Sequence, residues 1–309
     1  MRLSADAPWG VIMEDFELIA TLPNLAAMER VHKVLSCSAI AEARYNIGTA
    51  SLMTPAETVA LLNELSAKYD KRIWLDVKGR QLRIVRWADP RYEAIDLNHN
   101  IRVAYPARIY FRNSEYSDIM RVKDNRILVD PLPGEALGAG QSVNIIAKEL
   151  EIEGYLTELD KQYLHAADLQ GLKNVMASFV EKYEDLSEIL SFMPDAEIIS
   201  KIESLKGIEL ISSQKIGRLM AARDDLYIQT GQNKSMLEHL AAIISCDSNA
   251  ICASKIFSSL ERQSTVDFAD YSDLALMQNM GYRRFMLCDN ICNYHFEKAI
   301  AAWRGFTGH

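Results

Sequence analysis

Two short apolar runs with charged ends decide the fold of this chain: IISKIE at residues 198–203 and LMAARDD at residues 219–225. Each run has the length of a buried strand, and a stretch of helical length separates them. Side chains two apart on a strand share a face, so Lys201 and Glu203 are expected to point into one cavity. A cation and a carboxylate at the end of one buried strand, with acidic residues at the end of the next, are typical of a metal site in a parallel barrel.

The same pattern recurs along the chain and predicts eight strands that alternate with helices. The predicted strands are residues 16–21, 38–43, 71–76, 173–177, 197–202, 217–222, 249–253 and 284–288. TPAE at residues 54–57 and TELD at residues 157–160 indicate helix starts with capping boxes. Eight alternating units favour an α/β fold, specifically a closed parallel (β/α)8 TIM barrel.

One segment interrupts this alternation. From about Trp87 to Gly154 the helical pattern is lost, and prolines and glycines separate short alternating runs. We predict a small β-domain inserted after the third barrel strand: residues 1–86 form the first part of the barrel, 87–154 a small β-barrel-like lid, and 155–309 the second part of the barrel. Active sites of parallel barrels lie at the carboxyl ends of the strands, so the insertion is expected to close over the site.

The composition excludes several classes of protein. A chain of 309 residues with 49% hydrophobic side chains can bury one large core. Its net charge of -8 argues against a sequence-independent nucleic-acid binder, which needs a basic face. We find no signal-peptide pattern and no apolar run of membrane-spanning length, so we expect a cytoplasmic protein with neither nucleic acid nor membrane as a partner.

Common cofactor motifs are missing from the sequence. The five cysteines form no Cys-x-x-Cys pair and the six histidines no His-Glu-x-x-His, which argues against a disulfide framework, structural zinc and zinc hydrolysis. There is also no Gly-x-Gly-x-x-Gly and no Walker-type loop. A nucleotide would therefore have to bind without either loop.

Taken in order, the strand-end sequences resemble those of the pyruvate kinase family. LDVKGRQLR at 75–83 is similar to the family's LDTKGPEIR, ISKIE at 199–203 to its ISKIE, MAARDDL at 220–226 to its MVARGDL, and ICAS at 251–254 to its ICAT. ARYN at 43–46 and LTELDK at 156–161 resemble the family's ARLN and LTEKDK. The resemblance covers roughly residues 16–305 and implies a barrel with a lid, in a diverged short member that lacks the family's C-terminal regulatory domain.

The resemblance implies a catalytic and metal centre. Glu203 and Asp225 would bind a divalent metal, Mg²⁺ or Mn²⁺, because hard cations prefer carboxylate oxygens. Lys201 would stabilise charge beside the transferring phosphoryl group or the enolate oxygen. Arg44 would bind the phosphoryl group, and Ser254 would lie near the enol carbon, where the family has a threonine.

The resemblance to the pyruvate kinase family also implies two binding surfaces. Arg83 would face the nucleotide phosphates near the lid. The backbone amides around Asp224 and Asp225, at the start of a helical turn, would receive the carboxylate of the ligand.

Three positions depart from the family pattern. Asn46 and Asp76 match two ligands of the family's potassium site, but the serine of NFSHG is Gly48 here, so that site is incomplete. Asp224 replaces the glycine of ARGD and adds negative charge. The family's LSGET becomes LCDNI at 287–291, so the glutamate of its proton-transfer network is replaced by Asn290.

The resemblance thus implies a pyruvate-kinase-like, metal-dependent phosphotransferase. Its partners would be phosphoenolpyruvate, pyruvate or a related enolpyruvate and the nucleotide ADP or ATP, with a homo-oligomer formed through barrel helices. An alternative is a metal-dependent lyase, decarboxylase or aldolase acting on a pyruvate-like 2-oxo acid without phosphoryl transfer, and a third is a non-catalytic paralogue. Two of these features also have structural interpretations: a Lys-x-Glu pair is often a surface ion pair, and Cys288 fits a buried small hydrophobe better than a nucleophile.

Overall fold

The fold is described from a computed structural model that places residues 16–111, 115–134 and 137–308. Residues 1–15 of the predicted first barrel segment, 112–114 and 135–136 of the predicted lid, and 309 lie outside the described residues. The strands are β1 Glu17–Thr21, β2 Glu42–Asn46, β3 Ile73–Val77, β4 Ile95–Asp96, β5 Ile101–Val103, β6 Ala107–Tyr110, β7 Tyr116–Lys123, β8 Arg126–Asp130, β9 Asn144–Ala147, β10 Leu150–Ile152, β11 Asn174–Ala177, β12 Glu197–Ile202, β13 Arg218–Ala222, β14 Ile251–Ala253 and β15 Arg284–Leu287.

Helices follow the strands around the molecule. They are α1 Met28–Ser36, α2 Pro55–Tyr69, α3 Glu158–Leu169, α4 Tyr183–Phe192, α5 Leu205–Ser213, α6 Arg223–Gln229, α7 Ser235–Cys246, α8 Phe268–Met280, α9 Asp289–Tyr294 and α10 Phe296–Thr307, with a 3-10 helix at Ser258–Glu261. Within the described ranges, no helix is both long and apolar enough to cross a membrane.

Eight strands close into one parallel barrel in the order β1, β2, β3, β11, β12, β13, β14, β15. The first and last strands pair in parallel, with Glu17 opposite Arg284, and so complete the ring. Helices separate consecutive barrel strands. Between β3 and β11, the strands β4 to β10 come first and the helix α3 follows them. The predicted (β/α)8 barrel is therefore confirmed.

Two of the predicted helix starts are confirmed by their caps. The Thr54 hydroxyl accepts a hydrogen bond from the backbone N–H of Glu57, whose carboxylate accepts one from the N–H of Thr54. Thr157 and Asp160 make the same reciprocal pair at the start of α3. Each pair satisfies two N–H groups that a helix end leaves without partners, and a cap of this kind contributes about 1 kcal/mol.

The predicted second strand, 38–43, is wrong in position, because β2 begins only at Glu42. The chain turns first, and the N–H of Ile40 donates to the carbonyl of Cys37. In β2 the polar side chains of Glu42 and Arg44 face the barrel interior, where they contact Trp74 and Asp76. A strand with charged residues turned inward lacks the apolar run by which buried strands are recognised.

The barrel interior is layered from one end to the other. Ion pairs between residues at the strand starts close the amino-terminal end. An apolar layer fills the middle: Ile19, Trp74, Met176, Ile199, Met220, Ile251, Ala253 and Met286. Because inward-facing side chains alternate along each strand, the next inward residues stand at the carboxyl end, and they include the polar side chains of Thr21, Asp76, Ser178 and Lys201. The larger core lies outside the barrel, between strands and helices.

A small β unit lies between β3 and α3. Five antiparallel strands pair in the order β4, β8, β7, β6, β9, and β5 pairs with β10. The unit has its own apolar core, which extends from Leu82 to Ile152. Leu82 and Ile84 join this core although they precede the predicted boundary at residue 87.

Gly79 marks the point where the chain leaves the barrel for this unit. Its φ is +49°, and a Cβ there would lie 2.5 Å from the Tyr155 ring and 2.6 Å from the Ser178 carbonyl oxygen. Only glycine combines that backbone conformation with so close an approach. This contact keeps the residues after β3 against the carboxyl end of the barrel.

Candidate active site

The buried carboxylate of Asp76 organises the charged groups at the carboxyl end of the barrel. Its Oδ2 accepts hydrogen bonds from Arg44 Nε at 2.8 Å and from Lys78 Nζ at 3.0 Å, and also contacts Arg44 Nη2. Its Oδ1 lies 3.1 Å from Ser178 Oγ and 3.3 Å from Lys201 Nζ. Burial alone would raise the pKa of Asp76, but the guanidinium and the two ammonium groups hold it well below its usual range. An ionised carboxylate thus holds three cationic side chains together.

Lys201 is held from three sides at the end of β12. Its Nζ donates to Ser178 Oγ at 2.7 Å and lies 3.2 Å from Glu203 Oε1. Burial by itself lowers the pKa of Lys201, but the charges of Asp76 and Glu203 outweigh it and raise the pKa. The two side chains of the predicted pair therefore meet each other, and Lys201 is a buried ammonium with a fixed position.

Glu203 and Asp225 form the acidic side of the same centre. Glu203 Oε2 accepts a hydrogen bond from the Phe179 N–H at 2.7 Å. Burial raises the pKa of Glu203 to about 7, and repulsion from Asp225 adds to this effect, whereas the attraction of Lys201 opposes it. Half-buried Asp225 lies in the first turn of α6, and Asn144 of β9 donates to its Oδ1 at 2.7 Å. The small β unit thus contributes directly to this centre.

These two carboxylates are the groups that would hold a divalent cation. Two negative groups close enough for one to raise the pKa of the other are stabilised by added positive charge. Over residues 16–111, 115–134 and 137–308, no group of three or more His, Cys, Asp or Glu side chains is arranged to hold a metal. A cation at Glu203 and Asp225 would therefore need oxygen ligands from substrate or water, and metal binding remains a prediction.

Lys78 belongs to this centre although it was not among the predicted site residues. It follows β3 and is buried beside Asp76. Burial, together with repulsion from Arg83 and Arg44, outweighs the attraction of Asp76 and lowers the pKa of Lys78 to about 7. The sequence signal was present in the motif at 75–83, but the effect depends on burial among other cations.

Arg83 reaches a neighbouring cavity rather than the Asp76 carboxylate. Its guanidinium donates to the Gly140 carbonyl at 2.6 Å and to Gln81 Oε1 at 2.7 Å. A Cβ at Gly48 would lie 3.0 Å from Arg83 Nη1, so the arginine packs closely over this glycine. The three residues Gly48, Arg83 and Gly140 help to line an open cavity of about 370 Å³.

The predicted potassium ligands do not fit a monovalent cation. Asn46 Oδ1 accepts from the Gly48 N–H at 3.0 Å, and Asn46 Nδ2 donates to Asp289 at 3.1 Å. Both oxygens of Asp76 bind the donors described above. A Cβ at Gly48 would also lie 3.1 Å from Lys78 Cε. Positively charged side chains occupy the surroundings of these residues and would repel a monovalent cation.

Ser254 and Asp224 lie at the rim, each with a partner of its own. Arg223 donates to the Ser254 carbonyl at 2.6 Å and makes two bonds to Asp273, at 2.7 and 2.9 Å. Half-buried Ser254 has a φ of +67°, which residues other than glycine adopt at a cost. Exposed Asp224 pairs with Lys255 at 2.6 Å, so its added charge is compensated locally. Sequence reasoning missed the holding role of Arg223.

Arg44 has a second carboxylate partner, which sequence reasoning also missed. Its Nη1 donates to Thr21 Oγ1 at 3.0 Å and to Asp289 Oδ2 at 3.1 Å. Asp289 Oδ1 accepts from Asn46 at 3.1 Å. Burial would raise the pKa of Asp289, but the charge of Arg44 and the bond from Asn46 lower it. The neighbouring Asn290, which replaces the family's glutamate, is exposed.

Comparison with known proteins supplies independent information on this chain. The family model described as pyruvate kinase, barrel domain, matches residues 118–290. Pyruvate kinase 2 of Trypanosoma brucei brucei is 23% identical over 291 residues, which cover 82% of this chain and 58% of the relative. Pyruvate kinase of Thermoplasma acidophilum is 22% identical over 284 residues, 84% of this chain and 51% of the relative. That of Agrobacterium vitis is 31% identical over 165 residues, 51% of this chain and 34% of the relative.

The match includes the charged centre. The chain spans about half the length of the curated relatives it matches first. The family match at 118–290 covers more than half of the 309 residues and contains Lys201, Glu203 and Asp225. The closed parallel barrel of this chain agrees with the barrel domain that the family model describes. The chain therefore belongs to the pyruvate kinase family.

Proposed function

We propose that this protein catalyses metal-dependent transfer of a phosphoryl group between a nucleotide and the enolate oxygen of pyruvate, with phosphoenolpyruvate or a related enolpyruvate as the phosphorylated partner. The observation that carries the proposal is Lys201, a buried ammonium held by Asp76, Ser178 and Glu203. A cation fixed before the reaction stabilises developing negative charge without the cost of reorganising solvent. The relatives are all called pyruvate kinases, which supports this class of reaction.

Glu203 and Asp225 would hold Mg²⁺ or Mn²⁺. When bound, such a cation supplies positive charge that stabilises oxyanions of the ligand. Asn144 orients the Asp225 carboxylate through its hydrogen bond, and Gln229 Nε2 donates to Asn144 Oδ1 at 3.1 Å. The position of this proposed ligand therefore depends on contact between the β unit and α6.

The other predicted residues would bind and orient the reactants. Lys201 would donate hydrogen bonds to the enolate oxygen as its bond to phosphorus breaks. Arg44 would bind phosphoryl oxygens with its planar fork of donors. The amides of Asp224 and Asp225 would receive the carboxylate of the ligand, and Ser254 would offer its hydroxyl near the carbon that gains a proton.

The cavity of about 370 Å³ beside Arg83 is the proposed nucleotide site. Its lining includes Lys78 and Arg83, which suit phosphate oxygens, and the apolar side chains of Met53, Leu159 and Tyr163, which suit the flat face of a base. Most of the exposed lining is apolar, and charged groups stand at the end nearest the Asp76 cluster. This arrangement supports a nucleotide whose phosphates point toward the barrel.

A direct assay tests the proposal. Purified protein is incubated with phosphoenolpyruvate, ADP and Mg²⁺, in either KCl or NaCl, and pyruvate and ATP are measured separately. We expect both products in equal amounts, a strict need for the divalent metal, and similar rates in the two salts. Absence of ATP in both salts, at substrate concentrations that saturate binding, would refute phosphoryl transfer.

A second candidate function is enolate chemistry on a pyruvate-like 2-oxo acid without phosphoryl transfer, such as decarboxylation or aldol cleavage. The contact between Asp289 and Arg44 favours it, because a carboxylate already binds the proposed phosphoryl-binding group. This candidate would be supported if proton NMR shows that a 2-oxo acid is consumed in a metal-dependent reaction that needs no nucleotide. A lack of such loss together with ATP formation would exclude it.

A further inference from the structure

Arg44 is almost fully occupied by the protein itself. Its Nε and Nη2 donate to Asp76, and its Nη1 donates to both Thr21 and Asp289. These contacts use four of the five N–H groups of a guanidinium. A phosphoryl group has to displace one of these partners to gain a two-point contact with Arg44.

The three partners are not equally easy to displace. Asp76 and Thr21 are fully buried beneath the guanidinium. The Asp289 side chain is 40% exposed, so it is the partner of Arg44 that an incoming ligand can reach from solvent. Displacing Asp289 needs only a side-chain rotation at the start of α9, whereas displacing Asp76 would disrupt the buried cluster.

Asp289 is also held in place by a second donor. Asn46 Nδ2 donates to its Oδ1 while Arg44 binds its Oδ2, so the two oxygens of one carboxylate receive two separate donors. An oxyanion bound by an arginine and a neighbouring amide would make the same type of contacts. The family motif LSGET has glycine at this position, which offers no side chain to Arg44.

We propose that Asp289 is a specificity-determining residue: its carboxylate occupies the anion-binding contacts of Arg44 and Asn46 and weakens binding of ligands that carry a phosphoryl group, relative to 2-oxo acids that carry none. The inference rests on the proposed function, because it concerns the ligand of the same site. A phosphorylated ligand must first release Asp289 from Arg44. A ligand without the phosphoryl group leaves this contact intact.

The test measures binding rather than turnover. Dissociation constants of inorganic phosphate and of phosphoenolpyruvate are determined by calorimetry for the wild type, Asp289→Asn and Asp289→Gly. The dissociation constant of oxalate, measured in the presence of Mn²⁺, serves as the probe for a ligand without a phosphoryl group. The matched control is Glu261→Gln, which removes a charge from the same end of the barrel and contacts Cys288 rather than Arg44. Thermal unfolding of each variant shows whether it is folded.

Both Asp289 variants are expected to bind phosphate and phosphoenolpyruvate roughly ten-fold or more tightly than the wild type, the usual order for a charge-assisted contact, with oxalate changed less than about two-fold. Three results would overturn the inference: unchanged phosphate affinity, an equal gain in Glu261→Gln, or no phosphate binding by any folded variant. The assay for pyruvate and ATP decides the proposed function separately, since these binding changes do not require turnover.

Discussion

The two ends of the barrel contain the same kinds of side chain in different surroundings. At the amino-terminal end, Arg72, Arg218 and Arg284 pair with Glu17, Glu42 and Glu197, and the arginines and glutamates stand at or just before the strand starts. Most of these side chains keep substantial contact with water, for example 38% exposure for Arg218 and 50% for Glu197. At the carboxyl end, Arg44, Asp76, Lys78, Lys201 and Glu203 are buried.

The difference in burial between the two ends affects how strongly each ion pair changes the pKa values of its neighbours. Exposed pairs at the strand starts are screened by water and have one main role, to close the barrel. In the buried cluster one carboxylate serves three cations, so every charge changes the proton affinity of its neighbours, and the pKa values of Lys78 and Glu203 both come to about 7. Charged side chains therefore have a structural role at one end and a proposed catalytic role at the other.

The largest effect is expected from Asp76→Ala. Three cations then face one another in a buried space without the carboxylate that they share, and the free energy of unfolding should fall by about 3–5 kcal/mol. Urea unfolding measures this change. The control Glu197→Ala breaks exposed pairs with Arg72 and Arg218 at the other end and should cost about 0–1 kcal/mol. Similar losses in the two variants would show that the ends do not differ as described.

Lys201→Ala should remove chemistry while keeping the proposed metal ligands. We expect kcat in the pyruvate and ATP assay to fall by about 10²–10³, the usual loss when one oxyanion-stabilising donor is removed. Electron paramagnetic resonance should still detect Mn²⁺ bound at Glu203 and Asp225. Arg218→Ala removes a cation from the opposite end and should leave kcat unchanged. Surviving activity in Lys201→Ala would disprove its assigned role.

Two glutamates at opposite ends of β12 sharpen the comparison further. Glu203→Gln should weaken Mn²⁺ binding roughly ten-fold or more, because a neutral amide replaces one of two carboxylate ligands. Glu197→Gln, at the start of the same strand, should leave Mn²⁺ affinity unchanged. Calorimetric titration with Mn²⁺ measures both. Equal effects would place the metal somewhere other than the carboxyl end.

The smallest effect concerns the thiol of Cys288. Burial raises its pKa to about 12, so at pH 8 only about one thiol in 10⁴ is ionised. Alkylation by iodoacetamide should therefore be slow at pH 8, slower than at exposed Cys246, and should accelerate as the pH rises. Peptide mass spectrometry follows each site. Rapid labelling of Cys288 at pH 7 would show that it is a reactive nucleophile.

The barrel and several site positions were predictable from the sequence because their signals are local. Apolar runs of strand length marked most barrel strands, and side-chain oxygens at Thr54 and Thr157 marked helix starts. The spacing of Lys201 and Glu203 placed both on the same side of the chain at the end of β12, since a strand repeats every two residues. The second strand was misplaced because its inward residues are charged, and a hydrophobic pattern does not detect them.

The sequence by itself determined the alternation of strands and helices, the family resemblance and the residue types at the strand ends. Only the tertiary structure decided which of those residues meet: Asp289 reaches Arg44 because β15 closes the barrel against β1, next to β2. It also decided the charge state of each group, for Lys78 is buried near Arg83 and also near Arg44 and Lys201, which lie far away along the chain. Hydrogen bonds and pKa values depend on distance and burial in space, and a linear sequence contains neither.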